Sequence, residues 1–160
     1  MGKKASSIMT KNPMTFKTNE AFMRVVEVMT DKRITTVPIV NLEGTVVGLF
    51  TEVGIIKAAV LHQGKNPSLA DPIGNYTSHF EKATWVGDDE NIANIIVAMV
   101  KSATHRVLVG SETQGRLHGI ISPQDIVREL LSIQGATGFP PPGGNPTDSG
   151  GGGGGGFPKS

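Results

Sequence analysis

Apolar positions along the chain follow two different periods. Phe22, Val25, Val26 and Met29 fall at i, i+3, i+4 and i+7, the stripe of an amphipathic helix. Thr18-Asn19-Glu20 before them is its expected cap. The run Val37-Pro38-Ile39-Val40 is short and apolar, Asn41 to Gly44 carries turn residues, and Thr45 to Phe50 is β-branched and apolar. Those three segments predict a hairpin. Glu52 to Leu61 then reads as a second helix. Further on, the pattern predicts a helix near Asp89 to Lys101, strands at Val107-Leu108-Val109 and Leu117 to Ile121, and a helix from Pro123 to Leu131. Short extended pieces, Met14-Thr15-Phe16 and Thr84-Trp85-Val86, precede each first helix.

The second set of elements repeats the first. A shift of 70 takes Phe22, Val25, Val26 and Met29 onto Ile92, Ile95, Ile96 and Met99, and Val37 and Ile39 onto Val107 and Val109. After the turn the shift becomes 71, so that Gly44 meets Gly115, Gly48 meets Gly119 and Thr51 meets Ser122. One extra residue in the second turn, Ser111 to Gln114 against Asn41 to Glu43, accounts for the change. Each copy reads as β-α-β-β-α. A unit of about 60 residues buries only about 60% of its unfolded surface and is marginal alone. The expectation is therefore a mixed α/β (α+β) fold of two pseudo-symmetric repeats packed through their β-sheets. The expected divisions are a flexible N-terminus over 1–7, repeats over 8–66 and 67–134 with a connector at Gln63 to Ser68, and a tail over 135–160.

Composition narrows the function more than the fold. Of 160 residues, 21 are Gly and 10 are Pro; 11 of those Gly and 5 of those Pro lie in the last 26 positions. A segment so poor in apolar side chains cannot offset its ordering entropy, and disorder is expected there. With no Cys there is no disulfide framework, thiol nucleophile or zinc–thiolate site. A formal charge of +1 gives no general attraction to nucleic acid or anionic lipid. The longest apolar runs fall short of the roughly 18 residues of a membrane helix, and the N-terminus lacks the apolar stretch of a signal peptide. A cytoplasmic protein is expected.

Candidate chemistry concentrates at Gly119-Ile120-Ile121-Ser122-Pro123-Gln124-Asp125. A strand ends, Ser122 falls at an N-cap, Pro123 takes the first helical position and Asp125 sits in the first turn. Ser-Pro-x-Asp is by itself simply a good helix start, with a carboxylate at the positive end of the dipole. The same geometry also suits a nucleotide: the helix N-terminus and hydroxyl accept phosphate, and the carboxylate takes two ribose hydroxyls. His105-Arg106 at the start of a strand is either a solvated basic pair or part of such a site. Asp88-Asp89-Glu90 reads as a helix cap, and Trp85 as packing between a sheet and a helix. His62, His79 and His118 share no metal-ligand spacing, and no nucleophile–base set stands out, so neither a metal nor a catalytic residue is expected.

The repeated pattern resembles a tandem pair of CBS domains, often called a Bateman module. It is carried by Val37-Pro38-Ile39-Val40, Gly44 and Gly48-Leu49-Phe50-Thr51, and again by Val107-Leu108-Val109, Gly115 and Gly119 to Asp125. Thr104-His105-Arg106-Val107 is similar to the corresponding stretch in the γ subunits of the AMP-activated protein kinase. The resemblance covers about Ile8 to Leu131. It implies adenosine-type ligands held between the two copies, with the motif Asp on the ribose and the Ser/Thr on ribose or phosphate. One cleft would then use Ser122 and Asp125 with Met14, Thr15 and Thr35. The pseudo-symmetric cleft would use Thr51 with Val86, His105 and Arg106, and Arg106 would also reach across as a phosphate contact for the first cleft.

Two positions depart from the family pattern. Gly54 stands where the second cleft needs its ribose-binding Asp, and Leu108 stands where copy one has Pro38. Losing a charge-assisted hydrogen bond is worth about 1.5–3 kcal/mol, or roughly ten- to a hundredfold in affinity, so at most one good nucleoside site is expected. The resemblance implies a non-enzymatic regulatory module that binds an adenine nucleotide or S-adenosylmethionine, needs no obligatory cofactor, dimerises, and signals to a protein partner. The alternative is a ligand-free structural or dimerisation module.

Overall fold

The computed structural model describes residues 2–61 and 70–136. The expected connector at Gln63 to Ser68, and the expected tail beyond Ala136, lie outside the described residues.

The first repeat forms β2 (Phe16–Lys17), α2 (Phe22–Lys32), β3 (Thr36–Val40), β4 (Val46–Thr51) and α3 (Glu52–Leu61). The second forms β5 (Trp85–Val86), α4 (Ile92–Lys101), β6 (Val107–Ser111), β7 (Arg116–Ile121) and α5 (Pro123–Ala136). In each repeat the short strand runs parallel to the first hairpin strand, and the hairpin strands pair antiparallel. The β-α-β-β-α reading therefore holds twice. Helix α5 continues to Ala136, two residues into the expected tail. The contact pattern divides the chain after Ile126.

Two segments cross between repeats, and the apolar pattern does not reveal them. A short helix, α1 (Ala5–Ile8), and a two-residue strand, β1 (Thr10–Lys11), join the second repeat, where β1 pairs antiparallel with β7. The sheets are thus ordered β2-β3-β4 and β1-β7-β6-β5. Symmetrically, a 3-10 helix at Ile73–His79 packs on the first repeat, and Glu81 bridges Leu49 of β4. Ala5, expected in a flexible terminus, is fully buried in the second core. Ile73 and Tyr76 lie in the first, although the sequence assigns them to repeat two. One buried alanine in a four-residue helix leaves no periodicity to read.

The crossing arms also explain why the expected caps are not used. Thr18-Asn19-Glu20 was to cap α2, but the N-cap is Ala21, with no side-chain bond. The N–H of Phe22 is satisfied instead by the carbonyl of Asp71 at 2.7 Å. The carbonyls of Glu20 and Thr18 accept from Ile73 and Gly74 at 2.7 and 2.9 Å. In the second repeat, the carbonyls of Glu90 and Asp88 accept from Ala5 and Ser6 at 2.9 and 3.0 Å. There the cap is Asn91, whose side chain accepts from Asn94 N–H at 2.9 Å. Asp88, expected to cap, holds His118 Nδ1 of β7 at 2.8 Å instead. Tertiary partners have taken over what local side chains could have done.

The two cores differ in kind. The first is aromatic: Phe22 packs against Tyr76 with ring centroids 4.7 Å apart, and Phe50 meets Phe22 and Phe80 edge-on at 6.2 and 5.6 Å. The Tyr76 hydroxyl donates to Asp71 at 3.2 Å. Burial above all, then that hydrogen bond and the Asp71 charge, raises its pKa above the usual tyrosine value. The second core is aliphatic, built from Ile95, Met99, Val107, Val109, Ile121 and Ile126 around Ala5. Val86 packs against it. Trp85 is also half-buried, and strand alternation places it on the other face of β5 from Val86.

Candidate functional site

The start of α5 has the form of a capping box closed on itself. Asp125 Oδ2 accepts from the Ser122 backbone N–H at 2.8 Å and from the Ser122 hydroxyl at 3.1 Å. The carboxylate is thereby oriented beside the strand end at the helix N-terminus, where the dipole favours negative charge. Both residues are half-buried. The equivalent corner of the first repeat is wired the other way. There the Thr51 hydroxyl accepts from Gly54 N–H at 3.0 Å and so caps α3.

Gly54 itself is buried, and a Cβ built on it would lie 3.0 Å from both the His79 carbonyl oxygen and Phe50 Cε1. The glycine is explained by close packing: the crossing 3-10 helix occupies the space a carboxylate would need. Gly54 does not line the neighbouring cavity.

A cavity of about 270 Å3 lies on this Thr51 side. Thr35, Thr36 and Thr51 line it from the first repeat, and Thr104 and Arg106 from the second. Arg106 spans the two: Nη1 donates to the Thr104 carbonyl at 3.1 Å, and Nη2 donates to the Thr35 hydroxyl at 2.9 Å. The sequence had assigned Thr35 to one cleft and Arg106 with Thr51 to the other; a single hydrogen bond joins them. The planar guanidinium is thus pre-positioned at the seam, as anion recognition requires.

The other expected residues, Ser122 and Asp125 among them, fall outside that lining. Met14 and Thr15 are exposed, between β1 and β2. His105 is exposed, with φ at 55°, and precedes β6. Val86, expected in the Thr51 cleft, instead packs against the second core, because it takes the helix-facing side of β5. Sequence reasoning missed Glu52 and Glu81, two carboxylates on the cavity wall. Glu52 opens α3 and was in view as a helix start. Glu81 reaches the wall only because its segment pairs with β4. Among the described residues, no group of three or more His, Asp or Glu could hold a metal ion. None of their helices is long and apolar enough to cross a membrane.

Comparison with known proteins agrees with this architecture. Subunit gamma-3 of the 5'-AMP-activated protein kinase from Sus scrofa is 25% identical over 111 residues, 68% of this chain. The chain spans about a fifth of that curated relative, 21% of its length. Among solved structures, the CBS-pair protein CBSX2 from Arabidopsis thaliana matches with a TM-score of 0.69 at 19% identity, over 84% of this chain and 98% of its own. Its complex with AMP matches at 0.68 and 18%, over 83% and 99%. The CBS domain pair of protein MJ0100, in complex with 5-methylthioadenosine and S-adenosyl-L-methionine, matches at 0.65 and 22%, over 83% and 99%. At these identities the structural likeness speaks for the fold. The CBS domain family matches residues 5–61 and 78–132, so its first segment begins at buried Ala5 and its second within the arm that crosses to β4. The chain belongs to the CBS-domain family and carries two repeats of it.

Proposed function

We propose that the chain is a regulatory module that binds an adenosine-containing nucleotide (AMP, ADP, ATP or S-adenosylmethionine) between its two repeats and signals the bound state to a protein partner. The observation that carries the reading is the pre-oriented Asp125 carboxylate at the start of α5, with Arg106 reaching across the seam to Thr35. In this reading Asp125 takes the ribose hydroxyls and Ser122 the ribose or phosphate. Met14, Thr15 and Thr35 flank the adenosine. Arg106 meets phosphate, and His105 and Thr51 serve the weaker, pseudo-symmetric cleft. Relatives solved with AMP and with S-adenosylmethionine support the ligand class. The module acts in the cytoplasm as a homodimer without catalysis; Val53, Ile56 and Val60 on α3, 55%, 62% and 69% exposed, offer an apolar face for self-association.

A ligand that binds only the folded state adds RT ln(1 + [L]/Kd), about 2.7 kcal/mol at a hundredfold excess over Kd. The melting temperature should then rise by on the order of 5–10 °C. Asp125→Asn is the informative variant, since its amide oxygen can still accept from Ser122 N–H. The expected result is a shift in the wild type that Asp125→Asn abolishes. The self-satisfied Ser122–Asp125 and Arg106–Thr35 bonds favour a second reading, a ligand-free structural module. No shift with any of the four compounds, and dimerisation unchanged when Ser122 and Asp125 are both replaced, would establish that reading instead.

A further inference from the structure

A larger opening, of about 400 Å3, lies at the turn end of the hairpins, away from the helix starts. Its volume falls within the range of small-molecule sites, about 300–1,000 Å3. Both repeats wall it: Thr45 to Gly48 of the first and Glu112 to Gly115 of the second. The seam is closed by a hydrogen bond from Val46 N–H to the Gly115 carbonyl at 3.2 Å. A Cβ on Gly115, whose φ is 65°, would overlap the Thr45 methyl group. Here the second repeat carries one residue more than the first, so the departure from pseudo-symmetry builds the wall.

Beside the Glu112 carboxylate, three side chains give the opening a chemical character. Trp85, the only tryptophan, is half-buried and lines it, although its neighbour Val86 is in the core. A tryptophan left at a cavity wall offers a large planar apolar surface. Lys82, exposed and three residues earlier, supplies a cation on the same wall, and Gln114 supplies both a donor and an acceptor. We propose that this opening is a second ligand site, for a planar aromatic ring that carries an anionic group. The ring lies against Trp85, the anion meets Lys82, and Gln114 hydrogen-bonds the polar edge of the ring. The site is independent of the Asp125 cleft.

Trp85 is its own reporter. AMP, adenosine and ribose 5-phosphate are titrated against tryptophan fluorescence in the wild type, Lys82→Ala and Asp125→Asn; the three probes carry ring and anion, ring alone, and anion alone. AMP should quench saturably, with adenosine and ribose 5-phosphate each at least about tenfold weaker. Lys82→Ala should weaken AMP by a similar factor without changing adenosine, and Asp125→Asn should leave the titration as it was. The proposal is overturned if AMP gives no saturable quenching, or if Lys82→Ala leaves the AMP titration unchanged. Quenching lost only in Asp125→Asn also overturns it, as a remote response to the cleft. A failure of the cleft itself reads separately, as an absent Asp125-dependent melting shift.

Discussion

A carboxylate restored at position 54 has nowhere to go. The Cβ alone would sit 3.0 Å from the His79 carbonyl oxygen, a backbone atom, and 3.0 Å from the Phe50 ring, which is buried among Phe22 and Phe80. Neither neighbour can swing aside cheaply. The carboxyl group would then be forced against an oxygen and an aromatic face, with overpacking and desolvation costs acting together. Gly54→Asp is therefore expected to lower stability by about 2–4 kcal/mol in urea unfolding and to bring no gain in AMP affinity. A stable variant with tighter binding would show that the position is only a missing ligand group. The departure from the family motif was legible in the sequence; its cause was not, because His79 lies in a segment whose packing partner no local pattern names.

At the scale of elements, two strands depend on glycines that admit the crossing arms. A Cβ on Gly119 of β7 would overlap the Met9 sulfur and lie 2.8 Å from the Thr10 carbonyl oxygen. A Cβ on Gly48 of β4 would lie 2.9 Å from Phe80 Cβ. The two glycines fall at equivalent points of the repeat, each beneath the arm that arrives from the other copy. Alanine at either should cost about 1–3 kcal/mol, read as a lower urea midpoint with little change in slope. Gly119→Ala should in addition speed hydrogen exchange at Thr10 and Lys11, which pair with β7. Unchanged exchange there would mean that the arm does not need the glycine. Hairpins, helices and the Ser122 corner were readable because their signals are local: a period, a turn, a cap. Arms α1–β1 and the 3-10 helix were not, since their hydrogen bonds go to Glu90, Asp88, Glu20 and Thr18 in the opposite copy. Glu81 entered the cavity wall by the same hidden route.

The exchange of arms turns two marginal units into one. Each repeat lacks a strand edge and part of its core until the other supplies it: Ala5 fills the second core, and Ile73 and Tyr76 fill the first. The seam adds Arg106 to Thr35 at one end and Val46 to Gly115 at the other. Neither copy can unfold without stripping an arm from its neighbour, so loss of one should carry the other with it. Far-UV circular dichroism reports both copies, whereas Trp85 fluorescence reports only β5 of the second. Their urea transitions should coincide, with one midpoint and one slope. Deleting residues 2–11 removes the arm of one copy, yet it should lower both signals together, because the first repeat loses the stabilised partner that holds its own arm. Separate transitions in the intact chain would mean that the repeats fold independently. A ligand bound at the seam would then stabilise a contact between two domains, and could not be sensed through the fold as a whole.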